Sequence, residues 1–246
     1  MGPDSGAKEI RYAGVSNGID LILTTDAAYV VSEKVKEYVI DGVTRQLNGA
    51  GNNGVLGKFG QVNIRGNTDV KLTFTLVKAG TDIPADFAPE QTIFFSVYDL
   101  DTAPPGKGYE FVDFTTPVDS YSVTKTSTPR IEGNEAHLVA TATRQGTNLD
   151  NPTDPLSMTQ VQLDSAIWIT YKGMNTWGMT FGEKGNVKGK GGRNLMFGGV
   201  PSSPCDTKAA GSTDAADTKA IAVAKEAAAA EEIRAAKAIA VAKEAA

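Results

Sequence analysis

From Ile19 onward, apolar and polar residues alternate with a period of two, the spacing of a half-buried strand rather than of a helix. Ile19–Thr25 and Phe59–Ile64 read as strands, and Val70–Val77 alternates cleanly, so Leu72, Phe74 and Leu76 are expected on one core face. Thr92–Tyr98 is almost continuously apolar, β-branched or aromatic. That composition predicts a central strand covered on both faces rather than an edge. Further strands are expected at Tyr109–Phe114, Tyr121–Thr126, Ala136–Thr143, Ala166–Tyr171, Thr176–Phe181 and Asn194–Phe197. Turn-forming runs separate them: Asn48–Gly54, Pro104–Gly106 and Asp150–Pro155. Ser32–Tyr38 is open to two readings, because its polar stretch suits two helical turns while Val30, Val31, Val39 and Ile40 around it suit strands.

Many short strands with turn chemistry between them predict an all-β fold: an antiparallel β-sandwich, jelly-roll-like, over residues 8–200. A linker is expected at 201–212 and an Ala-rich α-helical tail at 213–246. The tail repeats itself: the ten residues from Lys219 recur unchanged from Lys237, 18 residues later. That offset is about five helical turns, so both copies would show the same face. Ile221 and Val223, however, lie about 200° apart on that helix, which makes a weak apolar stripe. A spacer or docking arm fits better than a coiled-coil strand.

Composition narrows the function. Apolar residues make up 41% of the chain, enough for a real core, and a net charge of -5 with scattered basic residues gives no footprint for nucleic acid. The one cysteine, Cys205, excludes an intrachain disulfide and a zinc site built on cysteines. No apolar run is long enough to span a bilayer, and the N-terminus lacks a basic and then apolar leader. The expected compartment is therefore cytoplasmic, or an extracellular or lumenal one reached through a targeting segment upstream.

Candidate chemistry is sparse. Asp99 and Asp101, two residues apart at the end of the central strand, are expected to point the same way and to form half of a calcium site, with backbone carbonyls of the adjacent loop and a carboxylate from Glu110 or Asp113 adding to it. A solvated, charge-protected strand end is the competing reading. Asp150–Pro155 is oxygen-rich, but Asx turns explain it at least as well. Trp168, Tyr171 and Trp177 lie on neighbouring strands; facing outward they would form a sugar-stacking surface, and facing inward, core. His137, the single histidine, sits inside an alternating strand with no nucleophile motif nearby, and no acid pair has the spacing of a β-sandwich glycosidase. The chain is expected not to be an enzyme. Gly182–Arg193, glycine-rich and basic, leads into a strand rather than a helix, so it is expected to be a hairpin loop and not a phosphate cradle.

Three motifs together, the strand ending Phe95-Ser96-Val97-Tyr98-Asp99-Leu100-Asp101, the Asp150–Pro155 loop and the closing Gly192–Gly198 strand, resemble extracellular jelly-roll modules. The resemblance is to calcium-dependent carbohydrate-binding modules and bacterial surface-anchor sandwich domains, and covers residues 55–200. It implies a calcium ion near Asp99 and Asp101 and a glycan or surface ligand. Two functions therefore stand. One is a non-catalytic structural or assembly module making protein–protein contacts, with itself or in a larger complex. The other is a calcium-dependent carbohydrate-binding module.

Overall fold

In the computed structural model of the chain, residues 2–32, 37–40, 43–46, 52–104, 108–147, 151–185 and 191–201 are described. The expected linker beyond Pro201, the Ala-rich tail, Asp150, Glu33–Lys36 of the ambiguous segment and Asn186–Lys190 of the glycine-rich loop lie outside them.

Each expected segment contains a strand, although Tyr121–Thr126 is strand only as far as Ser122, and Glu9–Ser16, Glu37–Ile40, Val43–Gln46, Gly54–Leu56 and Arg130–Asn134 are strands besides. In chain order they are β1 (Glu9–Ser16), β2 (Ile19–Thr25), β3 (Glu37–Ile40), β4 (Val43–Gln46), β5 (Gly54–Leu56), β6 (Phe59–Arg65), β7 (Asp69–Lys78), β8 (Thr92–Tyr98), β9 (Tyr109–Phe114), β10 (Ser120–Ser122), β11 (Arg130–Asn134), β12 (His137–Thr141), β13 (Ile167–Lys172), β14 (Thr176–Lys184) and β15 (Gly192–Pro201). A 3-10 turn, Gly2–Ser5, precedes them, and a short helix α1 (Gln160–Asp164) precedes β13. Thr159 and Gln162 form a reciprocal capping box at the start of α1, which explains a helix of five residues that periodicity did not indicate.

All pairings within the sheets are antiparallel. One sheet has the order β1-β2-β7-β14-β9-β12-β11, the other β10-β13-β8-β15-β6-β5, and β3-β4 form a separate pair. These seven- and six-stranded layers make a sandwich with more strands than the eight of a jelly roll. Leu72, Phe74 and Leu76 on β7 are all buried, as the alternation requires. Burying side chains of this size contributes about 1.5–3 kcal/mol each before entropy is counted. β8 is central, between β13 and β15; Ile93, Phe95 and Val97 face the inter-sheet core, while Ser96 and Tyr98 are covered on the outer face. Phe94 is the exception, 51% exposed.

One open reading is settled in part and one expectation is overturned. Glu37 and Tyr38 belong to β3, so the end of the ambiguous segment is strand. Gly182–Arg193 is not a hairpin: β14 pairs with β7 and β9 while β15 pairs with β6 and β8, so the chain crosses here from one sheet to the other. Edge strand β1 was not evident because Gly14, at φ 65°, and a register shift between Tyr12 and Ser16 break its alternation.

Two apolar cores result. The larger fills the space between the sheets and centres on rings: Phe74 stacks on Trp177 at 5.5 Å, Trp177 lies 5.5 Å from Tyr171, and Phe74 meets Phe95 and Phe197 edge-on. The smaller, Phe59, Tyr98, Ala166 and Met196, lies on the outer face of the six-stranded sheet, with Leu56, Met158 and Trp168 against it.

Candidate functional site: an ionic end and an apolar cleft

The inward-facing rows of β9, β14 and β15 are apolar until their last rung. Val112 and Phe114 share their face with Glu110; Met179 and Phe181 share theirs with Glu183; Leu195 and Phe197 share theirs with Arg193. Both glutamates stand on the seven-stranded sheet and Arg193 on the six-stranded one, so the guanidinium links the two layers. Its Nε donates to Glu183 Oε1 at 2.6 Å and its Nη2 lies 2.5 Å from the same oxygen. Nη1 lies 3.7 Å from Glu110 Oε1 and 3.8 Å from Asp101 Oδ1. The main-chain N–H of Asn67 donates to Glu183 Oε2 at 2.8 Å. Two loop glycines press on the carboxylates: a Cβ at Gly108 would lie 2.8 Å from Glu183 Oε1, and one at Gly146 would lie 1.8 Å from Asp101 Oδ2.

Burial makes the charges of these carboxylates matter. Desolvation, reinforced by the charge of Asp101, pushes Glu110 well above the ordinary carboxylate range, against the opposing pull of Arg193. Burial disfavours the charge on Arg193, but Glu110 and Glu183 outweigh it and hold the guanidinium above its usual value.

Of the proposed calcium ligands, Asp101 and Glu110 are thus brought together, and Arg193 is their common neighbour. Asp99 is also buried, and its charge acts on Glu110. Strand alternation does not place Asp99 and Asp101, because β8 ends at Tyr98 and Asp99 turns to φ 61°, out of the extended conformation that alternation needs; the charges of both nevertheless act on Glu110. Among the described residues, no three acidic, histidine or cysteine side chains are grouped so as to hold a metal ion. The sequence reading overlooked Glu183 and Arg193. Both are in phase with the core residues next to them, but the surrounding glycines made their segment look like a loop.

The three aromatic candidates separate. Tyr171 and Trp177 are in the inter-sheet core, while Trp168 is on the outer face of β13, edge-on to Tyr98 at 6.4 Å. They form no shared exposed surface. His137 is exposed on β12, with Nε2 2.9 Å from Asp113 Oδ1. In the Asp150–Pro155 loop, Asp154 accepts from the Leu156 N–H at 2.9 Å and from Lys58 Nζ at 2.7 Å, the Asx turn expected there. The lysine's hydrogen bond holds the Asp154 carboxyl below its ordinary value.

A second feature lies at the other end of β15. Edge strand β1, with Tyr12 and Val15, and the ends of β6, β8 and β15 in the opposite sheet enclose a cavity of about 410 Å³. Phe95, Trp177 and Phe197 form its inner wall, and Val55, Lys58, Phe94 and Pro155 its rim. Gly60 belongs to its floor because the Phe197 ring lies over it, 2.4 Å from where a Cβ would stand. Trp177 is 2% exposed and its Nε1, itself buried, has no hydrogen-bond partner among the described residues. Rim residues Val55 and Phe94 are 66% and 51% exposed, and Leu156, beside Pro155, is 89% exposed.

No family model and no curated protein matches the chain. Among solved structures it is similar to the N-terminal domain of the Streptococcus gordonii adhesin Sgo0707, at 11% identity and a TM-score of 0.44, over 79% of this chain and 46% of that one. The glucan binding protein C of Streptococcus mutans is similar at 11% identity and a TM-score of 0.38, over 74% and 51% of the two chains. The adhesin domain of PrgB from Enterococcus faecalis, solved bound to DNA, is similar at 11% identity and a TM-score of 0.40, over 73% and 60%. The chain thus spans roughly half the length of these structures.

Proposed function

We infer that the β-sandwich is a non-catalytic binding module that makes protein–protein contacts through the apolar cleft beside β1. The observation that carries this reading is an open cavity of about 410 Å³, within the roughly 300–1,000 Å³ of ligand sites, with exposed Val55 and Phe94 on its rim. Large exposed apolar side chains gathered around a concavity mark interaction surfaces rather than solvated ones. Sedimentation velocity on the full chain at rising concentration, beside a Val55→Asp/Phe94→Asp variant, tests self-assembly through this surface. The wild type is expected to associate and the variant to remain monomeric. Association that the two charges leave unchanged would place the contact elsewhere.

Calcium binding is the second reading, favoured by the buried carboxylates of Asp101 and Glu110 gathered at one place. Calcium takes six to eight oxygen ligands. It would have to draw Asp99, Asp101 and Glu110 from their present partners, with backbone carbonyls completing the set. Calcium is then expected to raise Tm, and Asp99→Ala and Asp101→Ala to abolish the rise. A Tm indifferent to calcium removes this reading.

A further inference from the structure

Strand β15 is longer than the strand beside it. Its ladder with β6 ends at the pair Phe197–Gly60, where β6 turns back into β5, while its ladder with β8 continues through Gly198 and Gly199 to Pro201. For its last residues β15 therefore has a neighbour on one side only among the described residues. Which groups face the vacant side follows from the hydrogen-bond phase. The Gly66 N–H donates to the Gly191 carbonyl at 2.7 Å, one rung beyond the Gly192–Arg65 pair. In an antiparallel ladder, main-chain groups alternate sides residue by residue, so Arg193, Leu195 and Phe197 address β6. Gly199 has the same phase and presents its N–H and C=O where β6 has stopped.

That vacant side adjoins the cavity, whose wall includes Gly198 and Gly199. Neither carries a side chain to bar an approaching backbone. At Gly199 none would fit, since a Cβ there would lie 2.3 Å from the Phe94 carbonyl oxygen. The site thus offers main-chain groups with no partner among the described residues beside an apolar space. A purely apolar small molecule would not satisfy those main-chain groups, and a sugar would meet few hydroxyl partners on this wall. An extended peptide supplies both main-chain hydrogen bonds and an apolar side chain on every second residue.

We propose that the uncovered edge of β15 at Gly198–Gly199 binds an extended segment of a partner protein by strand addition, with an apolar, preferably aromatic, side chain of that segment inserted between the sheets against Phe95, Phe197 and Trp177. This rests on the reading of the cleft as the binding surface and specifies how it binds. Lys58 and Asp154, ion-paired at the rim, leave the mouth without a net charge from that pair, so the segment is selected by alternation and shape rather than by charge.

The test uses the full chain and a blocked heptapeptide of threonine alternating with valine around a central phenylalanine. The same peptide N-methylated at alternate main-chain nitrogens and N-acetyl-phenylalanine amide serve as controls. NMR follows the Trp177 indole N–H, assigned by its loss in Trp177→Phe, and hydrogen exchange follows the Gly199 amide. The heptapeptide is expected to move the indole resonance and slow exchange at Gly199. N-methylation removes one or two main-chain hydrogen bonds and is expected to weaken binding about tenfold. If the N-methylated peptide or the single amino-acid amide moves the indole equally well, with Gly199 exchange unchanged, strand addition is overturned while the cleft stands as a binding site. If no probe moves the indole, the cleft reading falls as well.

Discussion

Arg193→Met removes the guanidinium that links the two sheets while keeping most of its aliphatic length. Arg193 is 18% exposed in its side chain; its closest partner, Glu183, is fully buried there, and Glu110 is 5% exposed. An exposed pair lost in this way would cost at most about 1 kcal/mol. Removing one partner of a buried pair costs about 3–5 kcal/mol, because the remaining charge is stranded. Two features favour the lower end. Burial already disfavours ionisation of Glu110, and Glu183 keeps the Asn67 N–H at 2.8 Å. The expected loss is therefore about 3 kcal/mol, or a fall in Tm of about 6–12 °C for a domain of this size. Urea and thermal unfolding at neutral pH measure it. Repeated near pH 5, the deficit should narrow, since Glu110, whose pKa is raised by burial, no longer needs the guanidinium once protonated. A loss below about 1 kcal/mol that does not depend on pH would refute the view that this cluster is a buried bolt between the layers.

Glu110→Gln tests the same cluster from the acidic side. Because the folded-state pKa of Glu110 is raised, its contribution to stability is fully present below the unfolded value of 4.5 and is lost as pH rises through the folded value. The wild-type Tm is accordingly expected to fall relative to Glu110→Gln as pH climbs from about 5 in thermal scans; parallel profiles would count against it. Gly57→Ala should destabilise by about 1–3 kcal/mol or more in urea unfolding, because Gly57 sits at φ 60° and a Cβ there would lie 2.1 Å from the Thr153 carbonyl oxygen. His137→Ala, on an exposed face, should change stability by less than about 0.5 kcal/mol in the same measurement.

Alternation revealed what alternation controls. It placed Leu72, Phe74 and Leu76 inside and made β8 central, because an unbroken strand cannot change the facing of its residues without losing its ladder. It failed where the backbone leaves the extended conformation: at Asp99, whose positive φ ends the period, and in β1, where a register shift hides the pattern. The ionic end was half legible. Asp101 and Glu110 attracted notice as acids, but their partner lies 83 residues beyond Glu110 on the opposite sheet, and no local pattern reports a contact of that range. Counting back in twos from Leu195 would have placed Arg193 inward, and a buried arginine demands buried acids. The cleft was not legible at all, because it arises where β6 stops short of β15, a difference in strand length that only the assembled sheet reveals.

Strand β15 also has a mechanical character. It lies between β6 and β8, antiparallel to both, with the guanidinium contact near its first residue and the uncovered stretch at its last. Tension applied at Pro201 along the strand axis would load both ladders in shear, so their hydrogen bonds would have to yield together rather than peel in sequence. The ion contacts at the far end would give way only with the whole strand. A segment paired along the vacant edge would add a third row in the same direction of load, so an occupied cleft should withstand pulling better than an empty one.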